Sequence, residues 1–493
     1  MKNIKYLLIF FLWSQISLGQ INFEKYRLPI NKTKEKIKID GILDEKTWKE
    51  VTVGKDFSMI TPLDTGKATQ FSEVRVAFND EFIYIAMIFF NNSIQGEYVV
   101  ESLKRDFSFG KNDNFLVAID PFNNQSTGFA FGLNAYGAQW DGTMYDGRNV
   151  DLNWDTKWYS EVKFDKEKWV CEIAIPFKSI RYDETSLEWG INFSRLDLKA
   201  SEKSSWAPVP RQFPSVSLAY AGALVWKNQP PEQGSNISLI PYGAYNLSNQ
   251  NRSIQNNSLK VGGDLKYNLT SALNLDMTLN PDFSQAEVDQ QVTNLDRFEL
   301  FFPERRQFFL ENADLFSNFG YKTVRPFFSR RIGLNVPIIG GIRMSGNLDE
   351  NWRLGVMDIQ TQKDKNLGLS SENFGVFTLQ RKVLDRSNIS LIFVNKQKTE
   401  TSEIDSSNNL FNRNLGLEYN YFSKDNLWNG KVLFLKSLSP TKENQGNVYA
   451  SHIGYQSTRW NWRIQQEYIS NNYTAEVGYI PRKNYLKLQA KGG

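Results

Sequence analysis

In residues 414–422 the side chains Leu415, Leu417, Tyr419 and Tyr421 alternate with Asn414, Gly416, Glu418 and Asn420. A period of two places the first set on one face of an extended strand and the second set on the other. The pattern returns where Trp460, Trp462 and Ile464 oppose Asn461, Arg463 and Gln465. Comparable segments begin near Ile237, Leu259, Ala272, Ile338, Asn351, Phe374, Asn388, Leu427, Val448, Tyr473 and Tyr485. Each is roughly ten residues long, the length at which a tilted strand crosses a bilayer. About a dozen strands or slightly more therefore predict an antiparallel transmembrane β-barrel over residues 235–493. Trp352, Trp428, Trp460 and Trp462 stand near strand starts, where an interfacial girdle belongs. A soluble β-rich domain would alternate in the same way, and strand length and export favour the barrel.

The first half reads differently. Val74, Val76 and Phe78 alternate with Glu73, Arg75 and Ala77, and Asn79-Asp80 makes a turn into the almost wholly apolar segment 82–90. Further strands are predicted at 115–120, 128–135, 159–164, 169–175 and 187–198, with no long helical period between them. An all-β chain follows, with a β-sandwich over residues 21–226 ahead of the barrel. Residues 227–234 are polar and include Pro230-Pro231, an extended, unpaired linker.

Composition narrows the setting. Lys2 and Lys5, the apolar run 7–13 and Ser17-Leu18-Gly19 read as a cleavable export signal over residues 1–20. Gln20 stands where lipid attachment would need a cysteine. Net charge is +4, and without Lys2 and Lys5 the balance is 56 basic to 54 acidic residues. With no concentrated basic stripe, nucleic acid is not an expected partner. Cys171 is the only cysteine, set in a strand pattern with Ile173 and Ile175, and reads as a buried thiol. The single histidine, His452, argues against histidine triads and multi-histidine metal sites and is expected to face solvent or the lumen. Haem in the sandwich would have to use Met87 or Met144, a weaker alternative.

One stretch breaks the β pattern. In residues 295–316, Leu295, Phe298 and Phe302 recur at helical spacing before Pro303, predicting a short helix. Dense charge at Glu304, Arg305, Arg306, Glu311 and Asp314 beside Phe301, Phe302, Phe308 and Phe309 suits a segment folded into a polar lumen or against the other domain.

Two motifs carry a resemblance. Asp40-Gly41 is a turn pair, and Asp44 is placed to cap a short helix bearing Trp48 and Val51 on its inner face. Asp40-Gly41, Asp44 and Trp48 together resemble the opening of family 9 carbohydrate-binding modules. Pro281-Asp-Phe-Ser and the run from Phe301 to Glu311 resemble a family of outer-membrane barrels of unknown function that carry such a module at the N-terminus. The resemblance implies a sugar-binding sandwich joined to an outer-membrane barrel. Such barrels run longer and finish on an aromatic strand, so a sequence stopping at Gly493 is expected either to be a fragment or to form an incomplete barrel that cannot close.

Sugar rings stack their C–H faces on aromatic rings and need polar partners for their hydroxyls. Tyr136, Trp140 and Trp154, flanked by Asp141, Asp146 and Arg148, are the predicted carbohydrate-binding residues. Asp113, Asp120, Asp141, Asp146, Asp151 and Asp155 would suit a calcium ion but match no compact metal loop, and turn formation accounts for them. No pair of carboxylates stands out as a glycosidase acid and base. The expected function is glycan capture or solute passage at the outer membrane, with glycan and membrane lipid as partners and no cofactor. The alternatives are an exported enzyme hydrolysing O-glycosyl bonds in carbohydrate catabolism, and a structural surface protein without ligand.

Overall fold

The computed structural model describes residues 23–91, 97–232, 237–250, 254–281, 293–295, 297–334, 336–364, 368–400 and 410–493. The export segment 1–20 lies outside them.

In the first half the strand order is Tyr159–Phe164, Lys168–Pro176, Phe82–Phe90, Ser72–Phe78, Arg27–Lys32, Gly222–Trp226, Glu188–Asp197, Asn114–Asp120, Gly128–Asn134, Gln139–Tyr145 and Asn149–Asp151. Arg27–Lys32 makes the hinge of this path. Its first four residues pair in parallel with Ala223 to Trp226, and its last two pair with Ala77 and Phe78. The path is thereby folded into two facing layers. Val76, Ile85, Cys171 and Ile173 from one layer meet Val117, Phe131, Ile191 and Phe193 from the other in a single core. Apolar residues at every second position supply each inner face.

Twelve strands form the second sheet, each paired antiparallel with its neighbours, from Ile237–Gln250 at one edge to Tyr485–Gly492 at the other. No ladder joins the two edge strands among the described residues. Its amphipathy is inverted relative to a protein in water. In Leu273–Leu279, Asn274, Asp276 and Thr278 are buried while Met277 and Leu279 are exposed. In Phe411–Phe422, Asn412, Asn414, Glu418 and Asn420 are buried while Leu415 and Leu417 are exposed. Val432, Phe434, Tyr449, Ile453, Ile464 and Tyr468 continue the outward apolar belt.

The inner side wraps around residues 303–331. Phe308, Phe309, Phe316, Phe319 and Phe327 pack against Met357, Ile359, Phe374, Val376, Ile392, Leu433 and Leu435. A polar knot holds the segment in shape. Arg306 pairs with Glu304 at 2.7 Å and donates to the carbonyls of Ser329 and Ile332. The guanidinium of Arg343, wholly buried, donates to the Phe308 carbonyl. His452 faces this segment too, its Nδ1 2.9 Å from the Tyr321 hydroxyl.

Several expectations need correction. No helix covers the described residues from Arg297 to Phe302, because the phenylalanines go to separate partners. Phe301 stacks on Phe328, while Phe302 meets Arg330. Short helical turns occur instead at Gln307–Phe309 and Asp314–Ser317. The segment near Tyr473 is not a strand, and the Tyr473 ring is tucked into the inner core. The linker is not free: Pro230 is buried, and the Pro231 carbonyl accepts the Tyr182 hydroxyl at 2.7 Å. Met87 and Met144 are both buried among apolar side chains, which leaves neither open to a haem.

Candidate functional site

The Asp40–Trp48 motif closes around one carboxylate. Glu172, buried in the strand Lys168–Pro176, accepts the backbone N–H of Asp40 at 3.0 Å, that of Gly41 at 2.8 Å and the Trp48 indole N–H at 3.0 Å. Gly41 has φ +76°, a conformation that favours glycine. Asp40 Oδ1 accepts the N–H of Ile42, as a turn-forming aspartate does. Asp44 does not cap the helix Lys46–Glu50. Glu45 occupies the N-cap, and the Glu35 carboxylate takes the Thr47 N–H. This motif therefore fastens the N-terminal segment to the sheet and leaves no aromatic face for a ligand.

The six predicted sugar contacts do not converge. Trp140 is 7 % exposed and packs against Phe109, Leu116 and Ala130 in a small core. Strand alternation sets it on the face opposite the Val117 and Phe131 core, where the side chains that cover it leave no stacking face. Trp140→Ala is expected to cost about 3 kcal/mol or more, read as a lowered denaturation midpoint. Tyr136 is exposed and lies against Phe164 at 5.1 Å. Asp146 and Arg148 flank a left-handed turn, with Asp146 at φ 52° and Gly147 at φ 64°. A Cβ at Gly147 would collide with the Gln125 carbonyl. This turn carries both side chains toward the second sheet, where Arg148 lies 5.8 Å from the Phe422 ring. Burial holds the Asp146 carboxyl above the usual carboxylate range, against the pull of Lys431.

Only Trp154 among the six lines a sizeable cavity. The space measures about 450 Å³ and lies between the sandwich and the barrel. Trp154 is half-buried, braced by the tilted Phe129 ring at 5.2 Å and edge-on by Phe131 at 6.4 Å. Around it stand Thr143, Asp155 and Thr156 from the sandwich, Lys266 and Asn268 from the barrel, and Glu311, Asn312 and Asp314 from the inner segment. Arg181 crosses from the sandwich to Asn268 at 3.2 Å and to Glu311 at 3.1 Å. Arg353 holds Asp314 with two bonds of 2.7 and 3.1 Å. Burial alone would raise the Glu311 carboxyl, but Arg181, Lys266 and Arg343 outweigh it and hold it below its usual range.

Asp141 stands behind this wall, fully buried. It accepts the Thr156 N–H at 3.0 Å and pairs with Arg105, which also binds Asp155 at 2.8 Å. Asp106 completes a cluster in which all three carboxylates approach within 4.8 Å. Burial pushes Asp141 up to about 6 despite Arg105. Burial and the charges of Asp155 and Asp141 push Asp106 to about 6. The donor set would suit a calcium ion, but the Arg105 guanidinium already supplies positive charge there, and a cation would have to displace it. Asp120 and Asp151 accept nearby backbone N–H groups, the turn-forming role, whereas Asp113 ties together distant segments by accepting the N–H groups of Val99 and Leu198.

Sequence reasoning singled out Trp154, Asp155, Glu311 and Asp314 but could not bring them together. It missed Asp106, Glu172, Arg181, Lys266 and Arg353, since their partners lie on other elements, from tens to more than a hundred residues away, and leave no local spacing to read.

Residues 235–347 match a family described as Domain of unknown function (DUF5916). Comparison with curated proteins finds no match. Among solved structures, a family 9 carbohydrate-binding module from Caldicellulosiruptor kristjanssonii in complex with cellotriose is 12 % identical, with TM-score 0.30, covering 41 % of this chain and 94 % of that one. The Escherichia coli outer-membrane protein Wzi, a carbohydrate-binding β-barrel involved in group 1 capsule assembly, is 10 % identical, with TM-score 0.23, covering 89 % and 82 %. OccK11 (OpdR) of Pseudomonas aeruginosa is 6 % identical, with TM-score 0.24, covering 84 % and 87 %. At these TM-scores the overlaps carry no information about a ligand.

Proposed function

We propose that this protein is an outer-membrane glycan-binding protein that captures an oligosaccharide in the cavity between its sandwich and its barrel, without catalysis. The membrane part of the reading rests on the inverted strands, whose outward apolar belt and inward polar row suit lipid outside and protein inside. The binding part is carried by one observation: the braced Trp154 opens onto a polar space of about 450 Å³, the chemistry a sugar ring needs.

Hydrolysis is disfavoured by the state of the carboxylates. Asp155, Glu311 and Asp314 are each engaged by a guanidinium, so no two of them stand free to face one scissile bond. Solute passage is disfavoured by the phenylalanines of residues 303–331, which pack across the barrel interior. In the full-length protein, Trp154→Ala is expected to weaken oligosaccharide binding severalfold, from loss of about 1 kcal/mol of stacking, while the protein stays folded with a melting temperature lowered only by the lost packing on Phe129 and Phe131. Calorimetry against a glycan panel reads the effect. Unaltered affinity would remove the cavity as the site, and absence of any glycan ligand for the unmodified protein would return the sandwich to a purely structural role.

A further inference from the structure

The charged side chains that line the cavity do not cancel: Lys178, Arg181, Lys266 and Arg353 stand against Asp155, Glu311 and Asp314. Asp155 shares Arg105 with Asp141 behind the wall, while Glu311 is paired with Arg181 and Asp314 with Arg353. Two further cations, Lys178 and Lys266, line the same space. Neither forms an ion pair with a carboxylate among the described residues. Lys178 is exposed at the rim, whereas Lys266 is half-buried on the strand Ile254–Asn268. Asp276 lies across the ladder from Lys266 but equally across the next ladder from Arg343, whose guanidinium is wholly buried. Glu311 is likewise shared, since Arg181 already binds it and Lys266 reaches it only through space. Lys266 is thus the surplus cation of the wall, facing a cavity that also holds an aromatic ring.

We propose that the cavity selects an acidic sugar, a hexuronic acid or a comparable carboxylated residue, with its carboxylate directed at Lys266 while its ring lies on Trp154. This inference rests on the binding reading above and adds the charge class of the ligand. A charge-assisted hydrogen bond in a partly desolvated space is stronger than a neutral one, whereas a neutral sugar would leave the Lys266 ammonium only Asp276 and Glu311, which it shares with Arg343 and Arg181. Lys178, at the rim, adds a screened attraction that draws anionic chains toward the opening.

The test compares oligogalacturonides with the same chains after reduction of their carboxyls to neutral galactose, using the full-length protein and calorimetry. The acidic chains are expected to bind roughly tenfold more tightly at low salt. That ratio should fall toward one in Lys266→Gln and shrink as salt is raised to about 0.5 M. Trp154→Ala should weaken both ligands while preserving the ratio. A ratio near one in the unmodified protein, or one indifferent to both salt and Lys266→Gln, overturns the acidic-sugar inference but leaves the cavity as the site. Trp154→Ala without effect on either ligand overturns the cavity reading itself. If Lys266→Gln fails to fold, the salt dependence and Lys178→Gln, expected to lower the ratio by a smaller factor, decide the matter.

Discussion

Glu172→Ala is expected to unfold the sandwich or bring it close to unfolding. The substitution strands three buried donors at once: the N–H groups of Asp40 and Gly41 and the indole N–H of Trp48. Each unsatisfied donor costs on the order of 1–3 kcal/mol, so the loss is about 5 kcal/mol, comparable with the whole stability of many domains. Glu172→Gln keeps an acceptor oxygen and should lie between the two. Burial holds the Glu172 carboxyl above its usual range, with the three donors opposing. The folded state therefore binds this proton more tightly than the unfolded chain, and the stabilising effect of that proton declines as pH rises through the raised range. Denaturant melts followed by near-ultraviolet circular dichroism give the comparison. A Glu172→Ala midpoint equivalent to less than about 1 kcal/mol of loss would show that the motif is not a structural clasp.

Arginine on the outer face of the second sheet should have an effect of similar size, but on assembly. Leu417 and Val432 lie on neighbouring strands, 50 % and 56 % exposed. In a bilayer each arginine costs about 2–4 kcal/mol near the midplane. The double variant Leu417→Arg/Val432→Arg should therefore fail to fold into lipid vesicles and be lost from the outer-membrane fraction. In water the same changes would be neutral or favourable, since they replace exposed apolar side chains with solvated ones. Wild-type recovery of the folded variant in vesicles would sink the membrane reading.

Local alternation was enough to read most strands. The segment 82–90 appears as Phe82–Phe90, and the opposed faces of residues 414–422 are opposed in the fold, with Leu415 and Leu417 outward and Asn414 and Glu418 inward. A period of two is a property of the backbone and survives without tertiary context. Tyr473 was misread because apolar spacing cannot distinguish a strand from a loop pressed into a core. The different settings of the two candidate tryptophans were not legible for a related reason. Trp140 and Trp154 share a Gly- and Asp-rich neighbourhood, but whether a tryptophan faces a core or a cavity is settled by what lies opposite. Here that is Phe109 for the first and the barrel wall for the second. The Asp40–Trp48 motif was legible as a pattern, and its partner Glu172 was not, because the contact spans more than a hundred residues.

The aromatic segment inside the barrel has a consequence for the order of assembly. Residues 303–331 belong to the connection between Leu273–Leu279 and Ile338–Asn347, two strands that are hydrogen-bonded neighbours. The filling is thus tethered at both ends to adjacent staves, which holds it beside the sheet from the moment those two strands pair. Strands from Trp352–Thr361 to Asn461–Ile469 come later in the chain and pack onto Phe316, Phe319 and Phe327 as they wrap. The segment works as a mandrel: it supplies the curved apolar surface around which the nascent sheet is wound. A lesion in it would leave a flat, adhesive ribbon rather than an empty tube.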